Sequence, residues 1–367
     1  MSPGASLQSE CSTPSLRWLS PVRLGKRHLH TVRGAYVTLL SRDSYAAGVK
    51  VLARSLHLAG SAFPFVCMHT AAVSQSVVEA LAKEKVEMLL VEPLLPNDEN
   101  SGKYKRALYA DCWTKLQMWQ MVQYDRIVYL DADMAVKANL DELFDLPQGF
   151  YAVSDCTAGR VSKQEQDNCP FSGCSRYFNA GMLCLNPSQE VFQKFQNLLA
   201  LGKIRTSGFA EQDFLNNYYK DSWQELPYIF NGQKRIKYHH PSVWCWEDVA
   251  VVHYVDAKPW DADNEEHAAF QEMVEYWWDV HDGQALPSMQ AQLACSKACA
   301  AITDAHGSSY DASMASTCVQ DETDTSTPTK LGTEHMLQML LANDEASSGH
   351  MASQQVATAQ LHHVLDR

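Results

Sequence analysis

Two acidic side chains one residue apart, Asp131 and Asp133, are the strongest candidates for chemistry in this chain. They follow residues 126–130, Arg-Ile-Val-Tyr-Leu, an apolar run that predicts a buried strand. Beyond the carboxyl end of such a strand in an open parallel sheet, two carboxylates can share a hard divalent cation, and that cation can hold a diphosphate. By itself the pair is more often a solvated turn, so its interpretation depends on the rest of the chain.

The elements that must position these acids alternate between strands and helices along the chain. Strands are predicted at 35–40, 64–68, 86–91, 126–130, 150–153 and 181–185. Helices are predicted from the region 41–44 to residue 58, and at 74–85, 111–123, 191–201 and 211–219. This alternation predicts an α/β fold with a mainly parallel central sheet flanked by helices. No G-x-G-x-x-G follows the first strand, which argues against a nicotinamide dinucleotide site.

Composition excludes several classes of protein. The 367 residues are 46% hydrophobic, enough for one large or two medium domains. A net charge of −13 argues against binding to nucleic acid, and no apolar stretch reaches the length of a membrane span. The 11 cysteines are odd in number and lack paired C-x-x-C spacing, which predicts reduced thiols and a cytoplasmic location.

Three segments are distinguished by composition. Residues 1–34 are basic and Ser-rich, which is typical of a transit peptide to a plastid or other organelle and equally of a disordered N-terminus. The ordered domain is predicted at 35–282. Residues 283–367 are acidic and rich in Ala, Ser, Thr and Gln, which predicts a flexible appendage with two short helices, at 334–342 and 353–365.

Five short segments, in this order, resemble glycosyltransferase family 8, the group of glycogenins and galactinol synthases. They are 36–39 with Tyr45, Leu-Asp-Ala-Asp at 130–133, Phe-Asn-Ala-Gly-Met at 178–182, Glu-Gln-Asp-Phe-Leu-Asn at 211–216, and His253 followed by Lys-Pro-Trp at 258–260. The resemblance implies a GT-A type nucleotide-diphospho-sugar transferase fold. It also implies a retaining, Mn²⁺-dependent hexosyltransferase that uses UDP-galactose or UDP-glucose and a small polyol or carbohydrate acceptor.

The same resemblance implies ligands for the metal and the donor. Asp131, Asp133 and His253 would hold the metal, and their mixed oxygen and nitrogen donors suit Mn²⁺ better than Mg²⁺. Lys258 would contact the donor phosphate, and Tyr45 would stack on the base. The full set of donor-binding residues implied in this way is Leu39, Ser41, Tyr45, Arg106, Lys115, Asp131, Ala132, Asp133, Asn179, Ala180, Gly181 and Lys258. Without the resemblance, His253 would be interpreted as a core histidine.

Three residues are implied in the transfer itself. Asp155 resembles the carboxylate that binds the transferred hexose, Glu211 would orient sugar hydroxyls, and Gln212 would lie on the β-face of the anomeric carbon. A glutamine is a poor nucleophile, which favours a front-face mechanism over a double displacement. Outside the family context, residues 211 and 212 would be interpreted as a helix N-terminus with a stabilising acid.

Within the family, the closer resemblance is to galactinol synthases, which transfer galactose from UDP-galactose to myo-inositol. It lies in segments 144–147, 150–156, 177–182, 209–216 and 277–279. The chain departs from them at Ala132, where they usually have glycine, in a shorter 157–176 segment, and at 255–257, so the acceptor stays open. A glycogenin-like, self-glucosylating primer is the alternative. Tyr238 lies seven residues after Asn231, the position at which the resemblance to glycogenins places their self-glucosylated tyrosine. The competing interpretation of Tyr238 is a packed loop tyrosine.

Other classes of function remain as alternatives. A catalytically silent nucleotide-sugar binding protein would keep the donor site without transfer. A nucleotidyltransferase would need a Gly-rich phosphate loop after the first strand, and residues 40–43 do not provide one. A scaffold would bind its partner through residues 283–367. The chain is also compatible with a homodimer. The prediction is an active sugar transferase.

Overall fold

A central sheet of seven strands carries the site, in a computed structural model that describes residues 32–97, 109–156, 176–202, 208–261 and 265–307. The described residues form two sheets, whose strands in chain order are β1 Gly34–Leu40, β2 Phe65–His69, β3 Glu87–Leu90, β4 Arg126–Leu130, β5 Met134–Val136, β6 Phe150–Ser154, β7 Phe178–Leu185, β8 Trp223–Leu226, β9 Gly232–Gln233 and β10 Val251–His253. The large sheet has the order β3-β2-β1-β4-β7-β6-β8.

Most strands of this sheet are parallel, as predicted. Strand β1 pairs in parallel with both β2 and β4, β2 with β3, and β6 with β8, whereas β7 runs antiparallel to its neighbours β4 and β6. The carboxyl ends of β1 and β4 therefore lie at one edge, and the residues that follow them, including Asp131, face a common cleft. The predicted mainly parallel sheet is confirmed.

A second sheet, too short to be predicted, brings the histidine to the acids. It has the order β5-β10-β9, with His253 opposite Met134 on the antiparallel strand β5. The backbone N–H of Tyr254 also donates to the carbonyl oxygen of Asp133 at 3.0 Å. Strands of two or three residues are too short to show an alternating pattern, so the sequence carried no signal for them.

Helices cover both faces of the large sheet. In chain order they are α1 Ala46–Leu58, α2 Gln75–Lys83, α3 Tyr109–Cys112, α4 Gln189–Ala200, α5 Glu211–Tyr218, α6 Lys234–His239, α7 Gln271–Asp282 and α8 Met289–Gly307. Short 3₁₀ helices lie at Asp43–Tyr45, Trp113–Gln120, Asp141–Asp145, Tyr228–Asn231 and Glu265–Phe270. None of the helices in the described ranges combines a membrane-spanning length with sufficient hydrophobicity.

Alternating side chains of the central strands fill two separate cores. Tyr36 and Val128 belong to the core on the α1 side of the sheet, whereas Val37 and Ile127 belong to the core under α4 and the Trp113–Gln120 helix. The contact between α1 and the acidic turn is unusually close. A Cβ on Gly48 would lie 2.1 Å from the carbonyl oxygen of Ala132, so only glycine allows the helix to support this turn directly.

Part of the segment predicted to be a flexible appendage is packed against the domain. Helix α8 lies within 283–367 and buries Ala291, Cys295 and Cys299, which join the core on the α1 side. These three residues recur every four positions, so small side chains form the buried face. The ordered region therefore extends at least to residue 307. Residues 308–367, with the predicted helices at 334–342 and 353–365, and residues 1–31 lie outside the described residues.

A buried lysine follows β5. The ammonium of Lys137 donates to the carbonyl oxygen of Trp246 at 2.6 Å and lies 3.5 Å from the centre of the Trp246 ring. Burial lowers the pKa of Lys137 from 10.5 to about 8, against the attraction of Glu247 and Glu272. The charged form of this lysine is therefore less stable in the folded protein than in the unfolded chain.

We expect Lys137 to make unfolding dependent on alkaline pH. Between its folded pKa and 10.5 the unfolded chain binds more protons, so this residue's contribution to the free energy of unfolding rises with pH across that window. A pKa that differs by one between the folded and the unfolded state changes that free energy by about 1.4 kcal/mol. Urea denaturation of the parent and of Lys137→Met, from about pH 7 to about pH 10.5, measures the effect as a difference between two curves. Parallel curves would contradict the lowered pKa.

Candidate active site

The cleft beyond β1 and β4 brings together nearly all of the residues predicted to act. The predicted residues that line it are Leu39, Ser41, Tyr45, Lys115, Asp131, Ala132, Asp133, Asn179, Ala180, Gly181, Glu211, Gln212, His253 and Lys258. Asp155 is fully buried just behind the wall, where it contacts Asn179 and Gln212. Arg106 lies outside the described residues.

Asp131, Asp133 and His253 converge on one point of the cleft. Each offers one ligand atom, and these atoms lie within 4.8 Å of one another. The two acids come from the turn after β4, and His253 ends β10. A Cβ on Gly181 would lie 2.5 Å from the Cε1 of His253 and 3.0 Å from Oδ2 of Asp131, so the glycine leaves the space between these side chains open. Two carboxylates and an imidazole in this arrangement fit a divalent metal.

The imidazole of His253 is held by its second nitrogen, as metal-binding histidines usually are. Nδ1 lies 2.8 Å from Oδ1 of Asn231, while Nε2 faces the cleft 3.3 Å from Oδ1 of Asp133. Asn231 is fully buried and does not line the cleft. From the sequence, Asn231 served only as a reference point for Tyr238, because an isolated asparagine far from the motif carries no pattern.

Asp133 is buried between two cationic or potentially cationic groups. Its carboxylate pairs with the ammonium of Lys258, which also donates to the carbonyl oxygen of Tyr254 at 2.8 Å. Burial acts to raise the pKa of Asp133, but the attraction of Lys258 and His253 is stronger and holds that pKa well below its usual range. Asp133 is therefore ionised at neutral pH. Lys258 also lies 5.9 Å from the centre of the Tyr45 ring, so its charge faces the cleft.

A second buried cation connects Asp131 to the start of α5. The ammonium of Lys115 lies 2.8 Å from Oε1 of Glu211 and 3.1 Å from Oδ1 of Asp131, and it donates to the carbonyl oxygen of Ala180 at 3.0 Å. Burial lowers the pKa of Lys115, but the two carboxylates raise it more, so the residue stays charged. Burial raises the pKa of Glu211, an effect that Lys115 opposes.

Gln212 is fixed by hydrogen bonds at both ends of its amide. Its oxygen accepts from the backbone N–H of Ala180 at 3.0 Å, and its nitrogen donates to Oδ2 of Asp155 at 3.0 Å and to the hydroxyl of Tyr177 at 3.2 Å. The residue before α5, Ala210, has φ of 50° and is buried, a costly conformation for a residue with a side chain. The start of α5 is thus held in one geometry.

The cleft and its immediate surroundings also contain charged residues that were not identified from the sequence. Arg42 pairs with Asp111, and the hydroxyl of Ser41 donates to the same carboxylate at 3.1 Å. Tyr45 packs edge-on against Trp260, with ring centres 5.6 Å apart. Asp256 also lines the cleft and has φ of 66°, with Arg235 at 3.3 Å from its carboxylate. Single charged residues in loops have no periodicity, so no signal marked them.

Tyr238 lies on α6 and is 68% exposed, with its ring 4.9 Å from that of His239. The interpretation of this residue as a packed loop tyrosine is therefore wrong, both in its burial and in its secondary structure.

Comparison with known proteins gives one family for the region that holds the site. The family model for glycosyl transferase family 8 matches residues 36–264, which include every described residue of the cleft discussed above. Among curated relatives, galactinol synthase 1 of Solanum lycopersicum is 34% identical over 265 residues, which cover 69% of this chain and 83% of that protein. Galactinol synthase 2 of Arabidopsis thaliana is 34% identical over 278 residues, covering 69% and 82%.

Solved structures give a weaker likeness. A crystal structure of the galactosyltransferase LgtC with donor and acceptor sugar analogues has 21% sequence identity and a TM-score of 0.48, covering 68% of this chain and 95% of that one.

Proposed function

The chain belongs to glycosyl transferase family 8 and is a hexosyltransferase with a GT-A type fold, and from that premise we propose that it transfers galactose from UDP-galactose to a polyol of the myo-inositol type. The observation that carries the proposal is the convergence of Asp131, Asp133 and His253 beside Lys258, at the edge of the sheet where a diphosphate would lie. The resemblance to galactinol synthases over 69% of the chain supports the choice of acceptor.

We propose Mn²⁺ as the metal, held by Asp131, Asp133 and His253. When bound, the ion would neutralise the diphosphate and stabilise the departing UDP. A nitrogen ligand favours Mn²⁺ over Mg²⁺, which prefers oxygen donors and retains its waters. Lys258 would add a second positive charge on the phosphates, since its ammonium already lies beside Asp133 at the cleft.

The wall formed by β7 and the start of α5 would bind the transferred sugar. Asn179, Ala180 and Gly181 would line it, with Gly181 allowing close approach of the backbone. Glu211 would orient sugar hydroxyls, because Lys115 holds its carboxylate at the cleft. Asp155 is fully buried behind Asn179, to which it is hydrogen-bonded at 3.3 Å, so it would affect the hexose through that side chain rather than contact the sugar. Leu39, Ser41 and Tyr45 would contact the base and ribose.

The fixed amide of Gln212 favours a front-face transfer. The Gln212 amide is hydrogen-bonded to Ala180, Asp155 and Tyr177. It can present its dipole to the anomeric carbon, but an amide is not a nucleophile. The bond from the anomeric carbon to the diphosphate oxygen would break, and the acceptor oxygen would bond to the same face. The proton of the acceptor hydroxyl would pass to the departing diphosphate oxygen, and the configuration would be retained.

Release of UDP by the purified protein with Mn²⁺ tests this proposal. UDP-galactose and UDP-glucose are each combined with myo-inositol, with a maltooligosaccharide and with no acceptor. We expect turnover that requires UDP-galactose and myo-inositol together. Binding of both UDP-hexoses without turnover in any combination would instead support the catalytically silent binding protein.

The exposure of Tyr238 keeps the self-glucosylating primer as the second candidate. We expect Tyr238→Phe to change transfer to an added acceptor by no more than about twofold, or about 0.4 kcal/mol in activation free energy, because Tyr238 is exposed and does not line the cleft. The measurement is the rate of hexose transfer with and without acceptor. Incorporation of glucose into the protein itself, lost in the variant, would favour the primer.

Two further properties remain proposals. We propose a cytoplasmic location, supported by the absence of disulfides among the cysteines in the described ranges. An organellar location depends on whether residues 1–34 direct import. A homodimer is also compatible with the family assignment, and analytical ultracentrifugation of the full chain measures it.

A further inference from the structure

Asn231 joins the metal-binding side of the cleft to the sugar-binding side through one buried amide. Its side chain is fully buried at the end of the Tyr228–Asn231 helix. The amide nitrogen donates to Oδ1 of Asn179 at 3.0 Å, and the amide oxygen lies 2.8 Å from Nδ1 of His253. Neither contact was anticipated from the sequence.

The orientation of this amide follows from a backbone donor. The N–H of Gly181 can only donate, and it points to the Oδ1 of Asn179 at 2.9 Å, which identifies that atom as the oxygen. The Asn231 atom that faces this oxygen must then be the amide nitrogen. Its other atom, facing His253, is the oxygen and can only accept.

The tautomer of His253 follows in turn. Because Oδ1 of Asn231 accepts, Nδ1 of His253 carries a proton, so in the neutral ring the unprotonated nitrogen is Nε2, which lies 3.3 Å from Oδ1 of Asp133 at the cleft. This is the nitrogen that the proposed metal would need. A histidine whose second nitrogen is held in this way loses both ring rotation and the competing tautomer.

The other end of the amide reaches the sugar wall. Oδ1 of Asn179 accepts from both Asn231 and Gly181, and the Nδ2 of Asn179 donates to Asp155 at 3.3 Å. Asp155 in turn accepts from Gln212 at 3.0 Å. An unbroken series of hydrogen bonds therefore runs from His253 to Gln212, with Asn231 as the step that connects the two sides.

We propose that Asn231 is a positioning residue that sets the metal-binding nitrogen of His253 and the side chain of Asn179 at the same time. The proposal rests on the proposed function, since it assigns Mn²⁺ to one side of the cleft and the hexose to the other. Two substitutions separate the two contacts. Asn231→Leu removes both, whereas Asn231→Asp keeps an acceptor for His253 but places a second oxygen against Oδ1 of Asn179.

The first readout is Mn²⁺ affinity without nucleotide, measured from the EPR signal of the unbound ion. The second is the ratio of UDP-galactose to UDP affinity in saturating Mn²⁺, measured by calorimetry. We expect Asn231→Leu to weaken Mn²⁺ binding by roughly 10–100-fold and to lower the ratio. We expect Asn231→Asp to keep the Mn²⁺ affinity of the parent within about threefold, because its carboxylate still accepts from His253. In this variant only the ratio of UDP-galactose to UDP affinity should fall.

Asn186→Leu is the matched control. Asn186 follows β7 at the opposite end of the sheet, where it accepts from the N–H of Gly149 at 3.1 Å and donates to the carbonyl oxygen of Asp125 at 2.7 Å. Its loss should lower thermal stability without changing either affinity. If Asn231→Leu does not fold, the comparison of Asn231→Asp with the parent carries the test.

The outcomes separate this proposal from the proposed function. A parent that binds Mn²⁺ and UDP-galactose, with both asparagine variants unchanged, overturns the positioning role alone. An Asn231→Asp variant that loses Mn²⁺ affinity as much as Asn231→Leu overturns it too, because the accepting oxygen is then not what matters. A parent that binds neither ligand overturns both proposals.

Discussion

Asp133→Asn is expected to reduce Mn²⁺-dependent hexose transfer by about a thousandfold or more, corresponding to roughly 4 kcal/mol of transition-state stabilisation. Asp133 lies between His253 and Lys258, at the centre of the candidate metal site. Asparagine preserves the shape of the side chain but replaces a charged ligand with a neutral amide, which binds a hard cation weakly. It also removes the carboxylate that pairs with Lys258.

Rates of UDP release and direct Mn²⁺ binding should fall together in this variant. Asp125→Asn is a suitable control, because Asp125 lies at the other end of β4, where it pairs with Arg33 at 2.6 Å in an exposed position. The control should keep the rate and the Mn²⁺ affinity of the parent. Full activity of Asp133→Asn, with an unchanged dependence on Mn²⁺, would remove the acid from the metal assignment.

Local patterns were sufficient to predict the part of the site that follows strand β4. The apolar run 126–130 forms the predicted strand without change, and two of the three candidate ligands come directly after it. This worked because a strand buried on both faces is an uninterrupted apolar run, and because β4 runs parallel to β1, so that its carboxyl end lies where ligands collect in such a sheet. His253 is 120 residues away, and only the family resemblance joined it to the acids.

The prediction failed where packing uses small residues. Helix α8 was interpreted as part of a flexible appendage because the whole segment 283–367 is acidic and rich in Ala, Ser, Thr and Gln. Its buried face is made of Ala291, Cys295 and Cys299, which join the core on the α1 side without large apolar side chains. Composition measures how much apolar surface a segment offers, but it does not show how closely two backbones approach.

Hydrogen-bonded networks were equally inaccessible. Asn231 and Lys115 act through partners that lie between 16 and 96 residues away in the chain. Each is a single polar residue inside an otherwise ordinary segment, so neither produces a periodic signal. What determines their role is the low-dielectric interior, which makes an unsatisfied polar group costly and therefore fixes its partners.

Lys115→Met is expected to lower the free energy of unfolding by about 3–5 kcal/mol and to remove most of the transfer activity. The ammonium neutralises Glu211 at 2.8 Å and Asp131 at 3.1 Å, and Glu211 is almost completely buried. Methionine fills a similar volume but leaves both acids without this counter-charge. The pKa of Glu211, which burial already raises against the effect of Lys115, should then rise further.

A second substitution separates the loss of charge balance from the loss of packing. Glu211→Gln in the Lys115→Met background removes the buried carboxylate that lost its ion-pair partner, while keeping the shape of the side chain. We expect the double variant to be more stable than Lys115→Met, because replacing both members of a buried pair costs less than removing one. Activity should not return in the double variant, since the carboxylate proposed to orient the sugar hydroxyls is gone as well.

Lys194→Met is the control for removing a lysine. Lys194 pairs with Glu190 at 2.7 Å on the surface of α4, where an ion pair of this kind contributes only about 0.3–0.5 kcal/mol. Chemical denaturation of the three variants and the parent, read as free energies of unfolding, measures the difference between a buried and an exposed pair. If Lys115→Met and Lys194→Met are destabilised equally, the ion pairs of Lys115 with Asp131 and with Glu211 at the start of α5 do not stabilise the fold. The proposed role of Glu211 would then lose its structural support.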